Sequence, residues 1–398
     1  MAATQQADAR LTELDALRGI AALLVLAHHA LQLLPRVDHP DIPGVGFLRY
    51  TLTELTPLRI LETGRGAVLF FFVLSGYVLT RALLRNGSPG LAAFAAQRSL
   101  RLMLPVAASV LLSICLWWTL AVPALPTSWE DRSLYTWLES PTATQAVSNA
   151  LLLADSEAMR LNVVLWSLVH EWRLTLLLPL VLLFRSRVPL FLALVLCASW
   201  LGIMAGATEN RVLLGLGPHG TIAATLYFAA GVGGGAALAL WFGTEMPVLS
   251  RNAWRAAAIG CVALFGMASD LAIYAGAVLL IVLARQPGRF RAALRCGPFA
   301  WLGGISFSLY LVHVPVLVAS VHLLHDAWPP PAIALVGSVA AILVAALFLH
   351  LVEVPSRGLA RWAERRLARP GWRPTPPGSA PPPPRDWAPE GGMPATPR

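Results

Sequence analysis

Five groups of residues in this chain have types and spacings that suit chemistry. The first lies in the apolar run LDALRGIAALLVLAHHALQLL, Leu14–Leu34, with Arg18 near its start and the adjacent His28 and His29 in its second half. Eleven helical residues turn the chain by about 1100°, only ~20° past three full turns, and climb ~16 Å. Arg18 and His29 therefore share a face, and His28 points about 100° away. Ionisable groups inside apolar helices are functional or paired. A neutral imidazole in a low-dielectric setting accepts a proton from a hydroxyl, which is general-base work. A hydrogen bond between helices is the bland account of a lone histidine there, and the run alone favours neither; His28 fits the bland account.

The second group is Arg98 and Arg101, three apart ahead of Pro105. That spacing places both on one helical face. Two guanidinium groups suit a phosphate or diphosphate, because each donates through a bidentate fork. Taken alone, anchoring at a membrane surface explains them better. The third is Trp166, Ser167, His170 and Glu171, in which Ser167 and Glu171 are four apart and share a face. A carboxylate at the start of an apolar span needs a partner: an arginine, a histidine or a sugar hydroxyl. In the fourth, Ser306, Tyr310 and His313 fall at i, i+4 and i+7, a polar stripe on an otherwise apolar helix. Last come Ser75 and Gly76 in FFFVLSGY, small residues that let helices approach closely and alone mean packing.

The elements that hold these groups are legible from composition. The chain has 398 residues, is 57% hydrophobic and 13% charged, and has a mean hydropathy of +0.64. Soluble domains carry nearer ~25% charged residues. Apolar runs recur throughout, which predicts an all-α polytopic membrane bundle. Ten spans are expected, at about 14–34, 64–84, 100–121, 163–184, 188–206, 221–242, 252–267, 270–284, 301–323 and 332–352. The seventh and eighth are short enough to form one re-entrant pair.

Charge supports an even count with both termini cytoplasmic. The inside connections then hold Arg81, Arg85, Arg98, Arg185, Arg187, Arg251, Arg285, Arg289, Arg291 and Arg295, while the outside ones carry most of the acids. Residues 1–13 form a short N-terminal segment, 14–357 the membrane domain, and 358–398 a basic and then Pro-rich disordered tail. The outside segment 122–162 holds Trp129, Tyr135 and Trp137, read as interfacial aromatics with a possible interfacial helix. All basic residues are arginine, and the net charge of +9 is a matter of topology, with no soluble basic domain for nucleic acid. The four cysteines have no metal-ligand spacing, so neither a zinc site nor a disulfide is expected.

In chain order, LDALRGIAALLVLAHH, FFFVLSGYVLT, QRSLRLMLP, LWSLVHEW, LGGISFSLYLVHVPVL and VEVPSR resemble the motifs of the acyltransferase-3 family of integral membrane acyltransferases, over about residues 12–357. Each motif is weak alone; six in order are specific. The resemblance implies transfer of an acyl group, often acetyl from acetyl-CoA, to a hydroxyl of a surface carbohydrate, an antibiotic or another acceptor. Acyl-CoA would be a co-substrate rather than a resident cofactor, no metal is implied, and the setting is the inner membrane. It also implies catalytic roles for His29 and Glu171, and donor binding by Arg18, Arg98 and Arg101. Ser75, Trp166, Ser167, Tyr310 and His313 would line the substrate cavity.

The chain departs from the family pattern at His28, usually aromatic, and at His170, usually small or apolar. No hydrolase-like domain follows, so the stand-alone form is expected. A proton-coupled transporter of a small or lipid-linked solute is the rival reading, since intramembrane His and Glu also suit proton relays. Inverted repeats and matched broken helices would favour it, and neither is evident.

Overall fold

The computed structural model describes residues 11–34, 44–54, 64–120, 125, 137, 139–153, 160–207, 217–243, 246–267 and 269–372. Trp129, Tyr135, most of the acidic outside connections and the Pro-rich tail lie outside the described residues. Within them there are helices and connections, and no strand. This is the form a chain takes when hydrocarbon leaves backbone polar groups no partner but one another.

In chain order the helices are α1 (Thr12–Gln32), α2 (Val45–Glu54), α3 (Gly64–Asn86), α4 (Leu91–Leu120), α5 (Ala143–Ala150), α6 (Leu165–Leu176), α7 (Val188–Met204), α8 (Gly217–Phe242), α9 (Arg251–Phe265), α10 (Asp270–Arg285), α11 (Arg289–Leu294), α12 (Gly297–Leu324), α13 (Pro330–Phe348) and α14 (Val354–Leu367). Every apolar run expected to span is helical. Among the described residues, six helices are long and apolar enough to cross a membrane. A seventh span forms if α6 and the 3-10 turn Leu178–Phe184, bent by 44° at their junction, count as one. Helices α7, α9 and α10 are apolar but shorter, at 17, 15 and 16 residues. The seventh and eighth runs are two short helices packed against each other. Leu190, Leu194 and Trp200 of α7 and Leu343 and Leu347 of α13 are exposed, a face suited to lipid.

Two features depart from the sequence reading. Helix α14 continues the last span through residue 358, by way of a π turn at Leu349–Glu353, so the basic start of the expected tail is helix to Leu367. Trp137 is not an interfacial aromatic: it is buried and stacks on His322, with ring centroids 5.8 Å apart. Within the 122–162 segment, α5 is capped by Thr142 and Gln145 in a reciprocal capping box.

The core is built on two close helix crossings. A Cβ on Gly76 of α3 would run into the Val232 carbonyl of α8, and one on Gly235 of α8 into the Val73 carbonyl of α3. A Cβ on Gly19 of α1 would stand 2.6 Å from the Gly303 nitrogen of α12. Without side chains at these points the backbones touch. Prolines inside spans free a carbonyl four residues back. In α12, Pro315 frees Leu311, and the Asn162 side-chain amide donates to that oxygen at 2.8 Å.

One end of the bundle gathers arginine. Glu13, fully buried at the start of α1, accepts from Arg285 at 2.8 Å and Arg295 at 2.9 Å, with Arg291 at 3.4 Å. Removing one member of such a cluster leaves the others unmatched, so Glu13 ties α1 to α10 and α11.

Candidate active site

At this arginine-rich end a cavity of about 420 Å³ lies between α1, α3, α4, α6, α12 and the π turn. Its polar wall includes Arg18, Ser75, Arg98, Arg101, Ser167, Glu171 and Tyr310. These are seven of the ten residues to which the family resemblance gives a site role. Phe71, Phe72, Val68 and Leu102 make the apolar wall. Each polar group arrives because its helix turns it inward: Arg98 and Arg101 from the first third of α4, Ser167 and Glu171 from one face of α6.

The paired arginines are not equivalent. Glu171 Oε1 accepts from Ser75 Oγ at 2.6 Å and also binds the Arg98 guanidinium. Arg98 Nε donates to Thr175 Oγ1 at 3.1 Å. Arg98 is thus buried and engaged by its own fold. Arg101 forms no hydrogen bond or ion pair among the described residues, yet lines the cavity. Arg18 Nε donates to Ser306 Oγ at 3.1 Å, and Ser306 in turn donates to the Gly303 carbonyl.

At the deep wall the Tyr310 hydroxyl donates to the Val164 carbonyl at 2.9 Å, so it accepts from Ser167 Oγ at 2.6 Å. Phe71 meets Tyr310 edge to face at 5.9 Å between centroids. Beyond this pair lie the residues that do not reach the cavity wall. Trp166 packs among Phe72, Phe228 and His170 and acts as core. His313, fully buried, and His29, half-buried, stand one layer behind Tyr310.

The geometry of the histidine pair fixes its protons. His313 Nδ1 sits 2.9 Å from the Leu309 carbonyl, and His29 Nδ1 sits 3.0 Å from the Val25 carbonyl. A carbonyl only accepts, so each Nδ1 carries hydrogen and each Nε2 carries a lone pair. His313 Nε2, 3.0 Å from His29 Nδ1, then shares the same His29 proton. His29 is left with an unprotonated Nε2 held in a fixed ring orientation. His28 turns aside to Gln32 at 2.9 Å and packs under Gly64. His170 bonds Thr225 of α8 at 2.9 Å, away from the cavity.

Sequence reasoning missed Arg81, Arg85 and Glu353 as cavity residues. The arginines at i and i+4 closing α3 were visible only as topological charge. Glu353 accepts from Ser308 Oγ at 2.6 Å and pairs with Arg357. Its inward aim follows from the π turn, which no residue pattern announces. Among the described residues, no group of three or more His, Cys, Asp or Glu could hold a metal ion.

The sequence model of the acyltransferase-3 family, described as an acyltransferase domain, matches residues 11–350. The chain belongs to the acyltransferase-3 family. No curated protein and no solved structure matches it. As a family member it is a membrane acyltransferase, and the matched span takes in every residue of the cavity wall named above except Glu353.

Proposed function

We propose that this acyltransferase moves an acyl group, acetyl by default, from acyl-CoA to a hydroxyl of a carbohydrate or similar acceptor in the cytoplasmic membrane. On the ten-span reading of the sequence, both termini and the arginine-rich end face the cytoplasm, where acyl-CoA is available. The observation that carries this reading is the fixed tautomer of His29 directly behind an arginine-lined cavity.

The donor enters with its phosphates among the cavity arginines and its thioester toward Phe71 and Tyr310. The acceptor hydroxyl gives its proton to His29 Nε2. Its oxygen attacks the thioester carbonyl carbon, the C–S bond breaks, and the leaving thiolate takes the proton back from His29. The transient imidazolium is stabilised by two acceptors already in place, the Val25 carbonyl and His313 Nε2. His313 is thus a positioning residue, as the orienting third group is in other nucleophile–base arrangements. Glu171 acts through Arg98 and Ser75 and shapes the donor cavity without touching His29.

The test is His29→Ala beside His28→Ala, assayed for acyl-CoA-dependent transfer in membranes. His29→Ala is expected to lose transfer while inserting normally, and His28→Ala to retain it. The opposite pattern overturns the assignment.

A further inference from the structure

A second cavity, also about 420 Å³, adjoins the first at the arginine-rich end. Asp15, Arg18 and Arg101 line both. The remaining wall comes largely from α14, as Arg357, Arg361 and Glu364. Arg357 and Arg361 are four apart and so project from one face of the helix. The two chambers differ in chemistry. The first has a long apolar wall of phenylalanine, valine and leucine. The second has no apolar side chain larger than glycine, and sets four arginines against two carboxylates.

Acyl-CoA has the same division along its length. A thin, weakly polar thioester arm leads to a diphosphate, and the diphosphate leads to an adenosine bearing a 3′-phosphate. Resting on the donor reading above, we infer that the second cavity is the site of the 3′-phosphoadenosine end, with Arg361 and Arg357 as its phosphate ligands. Arg18 and Arg101, on the shared wall, meet the diphosphate at the junction. A guanidinium suits a phosphate dianion through paired donors. Asp15 and Glu364 are placed to accept from the ribose hydroxyl and the adenine amine, groups that donate. Arg361 is the better probe of the two, because it is exposed and Arg357 is already paired with Glu353. Without the 3′-phosphate the four arginines would face only the diphosphate, so the site discriminates CoA from its 3′-dephospho form.

The experiment uses the full-length protein in detergent and titrates it with CoA and with 3′-dephospho-CoA. The wild type is expected to bind CoA about 10-fold or more tightly than the dephospho compound. Arg361→Gln should erase most of that preference and leave dephospho-CoA binding unchanged. Thermal unfolding of the variant should match the wild type, since Arg361 is exposed and carries no buried contact. Equal binding of the two compounds by the wild type overturns this inference alone. A variant that weakens both compounds equally overturns it as well. Failure of both compounds to bind overturns the donor reading itself.

Discussion

Arg98 and Arg101 carry the same charge three residues apart, yet the structure gives them different work, and exchanging each for glutamine separates the two roles. Arg98 is buried, with 7% of its side chain exposed, and pairs with a Glu171 that is 15% exposed. Removing one partner of a buried pair costs about 3–5 kcal/mol, because the other charge is left unmatched. Glu171 keeps Ser75 as a donor and some contact with solvent, so the low end applies, about 3 kcal/mol for Arg98→Gln. Arg101 has no partner among the described residues to strand. Its loss should leave stability unchanged and remove a charge-assisted hydrogen bond to the donor, worth about 1.5–3 kcal/mol. That is roughly a 10- to 100-fold rise in KM for acyl-CoA. Thermal unfolding in detergent and initial rates in proteoliposomes read the two quantities independently. Arg98→Gln should lower the melting midpoint by several degrees, and Arg101→Gln should raise KM at an unchanged midpoint. If Arg101→Gln binds donor normally while Arg98→Gln raises KM at full stability, the assignment is reversed and the argument from the Glu171 pair fails.

The other expectations are shorter. His313→Ala should lower kcat about 10- to 100-fold with little change in KM for acyl-CoA, as loss of a group that only orients the base does; His313→Gln, which keeps an acceptor, should recover part of it, and identical rates for both variants would exclude the orienting role. Phe71→Ala opens the edge-to-face contact with Tyr310 and should raise the use of longer acyl donors relative to acetyl, measured by competition between acetyl-CoA and octanoyl-CoA. Gly303→Ala should cost activity and stability, because its Cβ would enter the Asp15 carbonyl, whereas Gly304→Ala, with open space at the same point of the helix, should be neutral or better; equal behaviour of the two would mean that the α1–α12 contact is not set by Gly303.

Much of this was legible in the sequence because membrane solvation is a strict filter. A run such as Leu302–Val314 admits few structures in hydrocarbon, and its polar members must face protein. Helical phase placed Arg18 and His29 on one face, and both side chains reach α12, at Ser306 and His313. What was not legible depends on several helices at once. The spacing of Ser167 and Glu171 says they share a face, but not that Glu171 is taken up by Arg98 and Ser75. The stripe Ser306, Tyr310 and His313 divides, with two members on the cavity and the third behind it. Nothing local sets that boundary, because the rest of the cavity wall comes from other helices. The π turn at Leu349–Glu353 was invisible for another reason. One extra residue in a helical turn changes which side chain points inward without changing composition.

The Gly19–Gly303 crossing and the placement of the site are one fact seen twice. Gly19 follows Arg18 directly, and Gly303 precedes Ser306 by one turn, so the backbone contact of α1 with α12 is what puts the Arg18 guanidinium on the Ser306 hydroxyl. From that fixed point the same two helices run on to His29 and His313, whose nitrogens meet at 3.0 Å. A hydrogen bond to a ring nitrogen tolerates only a few tenths of an ångström of separation before it weakens. The proposed base is therefore held to His313 by packing at the other end of the same helix pair, where the proposed donor's charge would be received. On the proposed topology, a site divided in this way would keep the cationic groups at the membrane surface, where arginine is readily solvated, and the imidazoles in the apolar interior. The Tyr310–Phe71 pair lies between the two zones, and on the proposed donor reading it is there that the uncharged thioester, the part of acyl-CoA best suited to leave water, would arrive.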